Sequence, residues 1–379
     1  MTVDDVDQSR WEVVPCEGFS SHDSIWALAC GADGHIYFGL AQEYTGGGVA
    51  QLFRYHTRKR RLEHLADLAQ VTGEASASGH ATQGKIHFAL CPASDGRLYG
   101  ATHCTTFPMD HRLWSPVAMW GDPVHSYPGG HIFRYDPADG RTVDFGVICP
   151  NEGIPYLLLD EGRERLYGVT YPRAHFFRVD LAGRAKVDYG RVSGWYPIAM
   201  CFDARKNIFM SDVNAQIVKY DVAADRLVFT RRSPFSSPWN RTKRHSWIAN
   251  LALAEDGFIY GTHYATDRLF RFDPERENLE FDDLGPGVPG GVCGALRGLT
   301  PDGRGHLYYQ VTLFGKGPSL FVRYHLRTGR KDVLGRLRVG GINLGSWIGV
   351  MDRRGRLYVK GGGRPMSLAI YTPPSRSRL

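Results

Sequence analysis

The chain has 379 residues, with 46 Lys and Arg against 39 Asp and Glu, 12% aromatics, 45 glycines and 21 prolines. That length exceeds a typical single domain unless the chain is built of repeats, and the composition favours many short strands with tight turns over helices. The seven cysteines are scattered without a CxxC pair, which argues against a disulfide framework and a thiolate zinc site, and no apolar run approaches the ~18 residues of a membrane span.

The net charge of +7 is spread along the chain apart from clusters such as Arg58-Lys59-Arg60-Arg61 and Arg241-Thr242-Lys243-Arg244. It suits an acidic partner: a polyanionic sugar, nucleic acid or an anionic surface. The charge is too diffuse for a nucleic-acid interface, and no nucleic-acid-binding module is present. The first residues, MTVDDVDQSRWEVV, lack a basic segment and an apolar stretch. A cytoplasmic location is therefore expected, or a secreted or periplasmic one if a leader has been removed.

In chain order, an orphan strand at Trp11-Glu-Val-Val-Pro-Cys16 comes first. Two phrases then alternate, seven times each. One resembles Gly-X-Leu-Tyr-Gly and begins at Gly34, Gly96, Glu164, Lys206, Gly257, Gly305 and Gly355. The other resembles Leu-Phe-Arg-Tyr-Asp and begins at Leu52, Ile132, Phe176, Ile217, Leu269, Phe321 and Leu368. An apolar strand precedes each first phrase, and in most units a turn and another strand follow the second. The unit is thus four strands, a to d, and seven units predict an all-β, seven-bladed β-propeller. The last unit stops after its strand c, so the orphan N-terminal strand is expected to complete it and close the ring. One propeller domain over 1–379 is expected, with blade 2 at about 84–148, blade 3 at about 154–190 and a frayed tail at 373–379. No helix of any length is required.

The organising stretch runs from Gly79 to His103. Strand Lys85-Ile86-His87-Phe88-Ala89-Leu90 is followed by a turn, Ala93-Ser94-Asp95-Gly96, and a strand ending at His103. In a propeller the starts of strands a and the ends of strands b converge on one face as a funnel. That rule selects His80, Gln83, His87 and His103 in blade 2, and Tyr156, Tyr171, Arg173 and His175 in blade 3. It adds Trp195, Tyr196 and Asn214, then His245, Trp247, Asn250, His263 and Tyr264, then Arg297 and Gln310, and Trp347. An insertion at 104–130 lies on the same rim, where a long loop fits a lid or substrate wall.

Trp and Tyr faces suit sugar rings, Arg and His suit a carboxylate, and His and Tyr transfer protons. No pair of carboxylates accompanies them, which counts against a standard glycoside hydrolase. No GxSxG elbow, HExxH or P-loop occurs. His87 fits either a proton-transfer group or a core histidine bonded to a strand carbonyl. His103 equally fits a loop anchor, Tyr156 a channel-wall residue and Arg173 a turn stabiliser. His245 with His263 are candidate ligands of a structural metal, although no third ligand stands out. No cofactor is required.

The ordered segments KIHFAL, GRLYGATH and IPYLLLDEGRERLYGVTYPRAHFFRVD resemble the seven-bladed propeller polysaccharide lyases, that is, ulvan lyases and the lyase of rhamnose-α-1,4-glucuronate. The likeness runs from about Gly79 to Asp180; elsewhere only the blade rhythm matches. The resemblance implies β-elimination at a uronic acid. His87 and Tyr156 would be the acid–base pair, and His103 and Arg173 would bind the uronate carboxylate. Two features depart from the family: the hairpin between the histidines is short, and no signal peptide is visible. A related propeller family comprises α-L-rhamnosidases. The chemistry suits elimination, because a cation over the carboxylate stabilises the enolate-like intermediate and neutral His or Tyr can move the protons. Which of His87 and Tyr156 is the base depends on sugar stereochemistry. The alternatives are a rhamnosidase-type glycosidase, a non-catalytic interaction platform, and a lyase of small molecules such as a cyclic peptide antibiotic.

Overall fold

Each pair of recurring phrases folds as strands b and c of a four-stranded antiparallel sheet. A computed structural model describes residues 3–43, 48–74, 81–104, 126–234, 247–264, 266–314 and 317–374. The chain opens with β1 (Trp11–Pro15). Blade 1 is β2 (Ser24–Cys30), β3 (Ile36–Ala41), β4 (Gln51–His56) and β5 (Arg61–Asp67), followed by the one-turn helix α1 (Leu68–Thr72). Blade 2 is β6 (Leu90–Pro92), β7 (Leu98–Ala101), β8 (Gly129–Asp136) and β9 (Arg141–Pro150). Blade 3 is β10 (Gly153–Asp160), β11 (Arg165–Tyr171), β12 (His175–Asp180) and β13 (Lys186–Arg191). Blade 4 is β14 (Met200–Phe202), β15 (Ile208–Ser211), β16 (Ile217–Asp221) and β17 (Arg226–Phe229). Blade 5 is β18 (Ile248–Leu253), β19 (Ile259–His263), β20 (Arg268–Phe272) and β21 (Phe281–Pro286). Blade 6 is β22 (Gly294–Pro301), β23 (His306–Leu313), β24 (Leu320–His325) and β25 (Lys331–Arg336). A short hairpin, β26 (Arg338–Val339) and β27 (Ile342–Asn343), leads into β28 (Gly349–Met351), β29 (Leu357–Lys360) and β30 (Ser367–Tyr371).

The seventh sheet has the order β1-β30-β29-β28, so the first strand of the chain completes the last blade. The pairing runs antiparallel from Trp11↔Tyr371 to Pro15↔Ser367. This is the closure expected from the orphan strand, and it removes the open edges that an unclosed stack of sheets would carry. Trp11 is buried at the joint, 5.4 Å from the Phe321 ring and 5.1 Å from the Tyr371 ring.

The phrases recur because each blade buries the same positions. The tyrosines Tyr37, Tyr167, Tyr260, Tyr308 and Tyr358 are fully buried. A buried hydroxyl needs a partner: Tyr37, Tyr260 and Tyr358 donate to Asp33, Asp256 and Asp352 of the preceding turn, at 2.7, 2.8 and 3.0 Å. The glycine after the tyrosine admits the phenylalanine of strand c. A Cβ on Gly100 or Gly261 would stand 2.2 Å from the ring of Phe133 or Phe270.

Helix α1 is five residues long, closed by the Asp67 side chain at its start and by left-handed Gly73 at its end. Among the described residues no helix is long and apolar enough to cross a membrane.

Blade 2 differs from expectation at its first strand. Only Leu90–Pro92 is regular; residues 85–88 leave the sheet and wedge toward the axis. Lys85 and His103 exchange both backbone bonds, at 3.2 and 2.8 Å. Phe88 bridges Tyr156 of blade 3 in parallel, donating to Pro155 O at 2.9 Å. Ile86 holds this excursion by packing on blade 1 where Gly39 leaves room, since a Cβ there would lie 2.7 Å from it. The turn from Ala93 to Gly96 forms as expected, with Gly96 at φ +93.

Candidate functional site

The funnel is built where strands a begin and strands b end. The innermost pairs slip register at that level, between Ile25 and Ala27, Gly153 and Tyr156, Ile248 and Asn250, and Arg297 and Thr300. A bulge sets two residues against one and re-aims a side chain. Trp26 lies at one of these slips and stacks on the His87 ring at 5.0 Å.

His87 and His103 stand 5.6 Å apart, ring to ring, and both are buried. His87 Nδ1 lies 3.2 Å from the Pro155 carbonyl oxygen. A carbonyl only accepts, so Nδ1 carries the proton and Nε2 keeps a lone pair. At His103 the backbone N–H of Cys104 donates to Nδ1 at 2.9 Å. There Nδ1 is the acceptor, and Nε2 carries the proton. Burial first, then the positive charge of Lys85, holds both imidazoles well below the ordinary range, so both are neutral at pH 7. Among the described residues neither Nε2 has a hydrogen-bond partner. The pair thus offers one proton acceptor and one proton donor side by side.

Gly153 is required by His103. A Cβ at this position would fall 2.1 Å from His103 Nδ1. Gly153→Ala is expected to turn the imidazole away, break the Cys104 bond and destabilise the fold by about 1–3 kcal/mol. A denaturant midpoint together with the ¹⁵N signal of His103 checks this; an unmoved signal would contradict it.

Aromatic rings extend around the axis from the histidines. His103 meets Tyr171 at 4.9 Å and Tyr196 at 6.5 Å, and Tyr196 lies 6.3 Å from His87. Trp195 packs on Tyr171 at 5.2 Å. On the other side Trp26 meets Trp347 at 6.2 Å, Trp347 meets Tyr264 at 5.5 Å, and Tyr264 meets Trp247 at 5.3 Å.

Charge is set into this collar. Lys85 Nζ pairs with Glu43 Oε1 at 2.6 Å, and Glu43 Oε2 accepts from Trp26 Nε1 at 2.5 Å. Lys360 donates to Ser24 Oγ at 3.0 Å; burial lowers its pKa, opposed by Glu43 and Asp23. Both ammonium groups sit just under 6 Å from the Trp26 ring centre. Arg297 lies over Trp347 at 4.0 Å and over Tyr264 at 4.7 Å. Among the described residues, Lys85, Lys360 and Arg297 stand against Glu43 and Asp23 around this collar. Sequence reasoning missed Trp26, Glu43, Lys85 and Lys360, although Lys360 ends a strand b and so satisfies the selection rule.

The other selected residues divide. Tyr156 packs on Phe88 at 5.5 Å and lines a largely apolar cavity of about 290 Å³ deeper along the axis, with Cys91, Leu157 and Phe202. Burial pushes its phenol strongly up. The tyrosines against the histidines are instead Tyr171 and Tyr196. Arg173 is ion-paired with the buried Glu152. Gln83 is buried, bonded to Tyr127, Glu74 and the Gly129 carbonyl. His175 pairs with Asp188 at 3.0 Å on the outer strands of blade 3, away from the axis. Asn214 is exposed in a turn. Asn250 donates to the Trp347 carbonyl at 3.3 Å, and Gln310 is tied to the Ser346 carbonyl. His263 is buried, and burial followed by Arg297 pushes it down to about 4. His80, His245, residues 105–125 of the insertion and residues 375–379 of the tail lie outside the described residues. Among the described residues no cluster of three or more His, Cys, Asp or Glu could hold a metal.

The histidines also shape stability. Between pH 6.5 and the lower folded-state values of His87, His103 and His263, the unfolded chain takes up protons that the folded protein refuses. Stability therefore falls on acidification through this window. His131 acts oppositely: despite burial, Asp144 and Glu74 raise it to about 9. Its contribution is complete below pH 6.5 and is lost as pH rises to about 9. Urea midpoints between pH 5 and 9 are expected to decline on both sides, and His131→Gln is expected to flatten only the alkaline side. An alkaline decline unchanged by His131→Gln would contradict this.

No protein-family model and no curated protein sequence matches the chain. Solved structures share the fold. Virginiamycin B lyase from Staphylococcus aureus, a catalytically inactive histidine-to-alanine form crystallised with quinupristin, aligns at TM-score 0.64 and 8% identity over 96% of this chain and 99% of that one. YCF48 bound to the D1 peptide aligns at 0.64 and 10% identity over the whole of both chains. The extracellular domain of a hybrid two-component system from B. thetaiotaomicron aligns at 0.60 and 13% identity over 99% of this chain, which spans 44% of its length. The protein is a seven-bladed β-propeller. At these identities the likeness is one of fold alone, and the similar structures include both a lyase and a protein bound to a peptide.

Proposed function

We propose that the funnel binds a carboxylate-bearing glycan and cleaves it by β-elimination. The observation that supports this best is the pair of neutral histidines in opposite tautomers, His87 with a lone pair at Nε2 and His103 with a proton there. His87 Nε2 takes the proton from C5, α to the uronate carboxylate. The freed electron pair forms the C4–C5 double bond as the C4–O4 bond breaks. The departing oxygen takes a proton from His103 Nε2–H, directly or through the Tyr196 hydroxyl, and water then restores both histidines. The ammonium group of Lys360, held by the Ser24 hydroxyl, favours the charge that builds on the carboxylate during proton removal.

This assignment moves two roles from those implied by family resemblance. Tyr196 replaces Tyr156 as the tyrosine beside the base, because Tyr156 lies behind Phe88. Lys360 takes the carboxylate in place of Arg173, because the charge of Arg173 already meets Glu152 and that of Lys85 already meets Glu43.

The test is a panel of uronate-containing glycans, including rhamnosyl-glucuronate oligomers and ulvan, followed by ultraviolet absorbance. Quinupristin belongs in the panel because one of the similar solved structures is a lyase holding it. A rise with a uronate glycan is expected. Turnover of quinupristin alone would keep the elimination and replace the substrate; silence throughout would leave the funnel a binding platform.

A further inference from the structure

Arg297 stands across the axis from the proton-transfer pair, and among the described residues its charge meets no acid. It is 7% exposed. Nη1 donates to the Leu296 carbonyl and Nη2 to the Tyr264 carbonyl, both at 2.7 Å. The rings of Trp347 and Tyr264 cover its faces. Carbonyls and rings solvate a cation without neutralising it, and among the described residues no Asp or Glu pairs with Arg297. Four arginines of the third strands, Arg54, Arg178, Arg271 and Arg323, each meet a carboxylate instead. The neighbouring His263 supplies no counter-charge, because it is neutral or positive. Burial lowers Arg297 to about 10, which leaves it charged at neutral pH. Buried charges are normally paired, so an unpaired one in a funnel marks the place of a missing anion.

We propose that Arg297 is a second anion subsite, which takes a carboxylate or sulfate on a sugar neighbouring the one cleaved, so that the substrate carries at least two negative groups. The guanidinium keeps three N–H groups beyond the two used by carbonyls, and its planar fork matches a carboxylate or sulfate bidentately. Ring contacts of 4.0 Å to Trp347, 6.2 Å on to Trp26 and 5.0 Å on to His87 connect the two subsites. A short oligosaccharide laid along these rings reaches both. That the anion belongs to a glycan rests on the elimination proposed above; that Arg297 takes an anion does not.

Sodium sulfate, and sodium acetate in parallel, are titrated at constant ionic strength with tryptophan fluorescence as readout. A saturable change is expected in the wild type and should vanish in Trp347→Phe. It should shift tenfold or more to higher concentration in Arg297→Lys and disappear in Arg297→Gln. No saturable change, or one that survives in Trp347→Phe, overturns the subsite, and neither result depends on an arginine variant folding. The relative midpoints of the two anions say which group is preferred. A glucuronate tetramer is then titrated calorimetrically, and Arg297→Gln, its fold checked by melting, should weaken it at least tenfold. If sulfate binds as predicted but no glycan is cleaved, the elimination fails and the anion subsite stands. If glycans are cleaved but the tetramer binds a folded Arg297→Gln as tightly as wild type, the subsite fails and the elimination stands.

Discussion

His87→Ala is expected to lower the rate of elimination by about 10²–10⁴-fold, the range for losing a general base. The ring is held on three sides, by Trp26 at 5.0 Å, Phe88 at 4.2 Å and His103 at 5.6 Å. Its Nδ1–H is spent on Pro155, so Nε2 is the atom that can accept a proton. His103 cannot take over, because its own lone pair is engaged by Cys104. His87→Ala keeps the backbone bridge of Phe88 to blade 3, so the melting curve is expected to remain cooperative. In the wild type the acid limb of kcat/KM is expected well below pH 6.5, because burial and Lys85 oppose protonation of His87. Full unsaturated product from a folded His87→Ala, or an acid limb at or above pH 6.5, would remove His87 from the chemistry.

Deletion of residues 1–15 is expected to give the largest loss of stability of any change considered. Five residue pairs join β1 to β30, and no other strand can replace them. The deletion leaves the seventh blade with three strands and exposes the edge of β30, which invites pairing with other chains. Trp11 packs on both Phe321 and Tyr371 at the joint, so Trp11→Ala should cost about 3–5 kcal/mol. Denaturant midpoints and light scattering check both. A deleted chain that stays monomeric with the wild-type midpoint would mean that the ring does not depend on this closure.

The ring was legible because its determinants are local and repeated. Each Leu-Tyr-Gly buries a tyrosine and opens space for the next phenylalanine, so the same residues return at each blade. The closing strand was legible because the last blade lacks a partner for β30. The wedge at 85–88 was not, because its bridges run to His103 and to Tyr156 in another blade. The funnel rule found His87, His103, Tyr171, Tyr196, Tyr264, Arg297 and Trp347 near the axis. It also selected His175, which pairs with Asp188 on the outer strands, and Asn214, which is exposed in a turn. The rule fixes where a strand ends but not which way a side chain points, and the register slips at Trp26 and Arg297 are set by packing between blades. Lys85 was hidden in an apolar run, and Glu43, two residues past the end of β3, is drawn to the axis by its bonds to Asp23, Trp26 and Lys85.

Product mass tests the central claim most directly. The protein is incubated with a uronate oligosaccharide that it cleaves, and the new non-reducing end is weighed. Elimination predicts an unsaturated uronate, one water lighter than the hydrolysis product, and none of it with His87→Ala. A hydrated end of full mass, with free sugar released, would contradict the account and make the funnel a glycosidase site on the same ring.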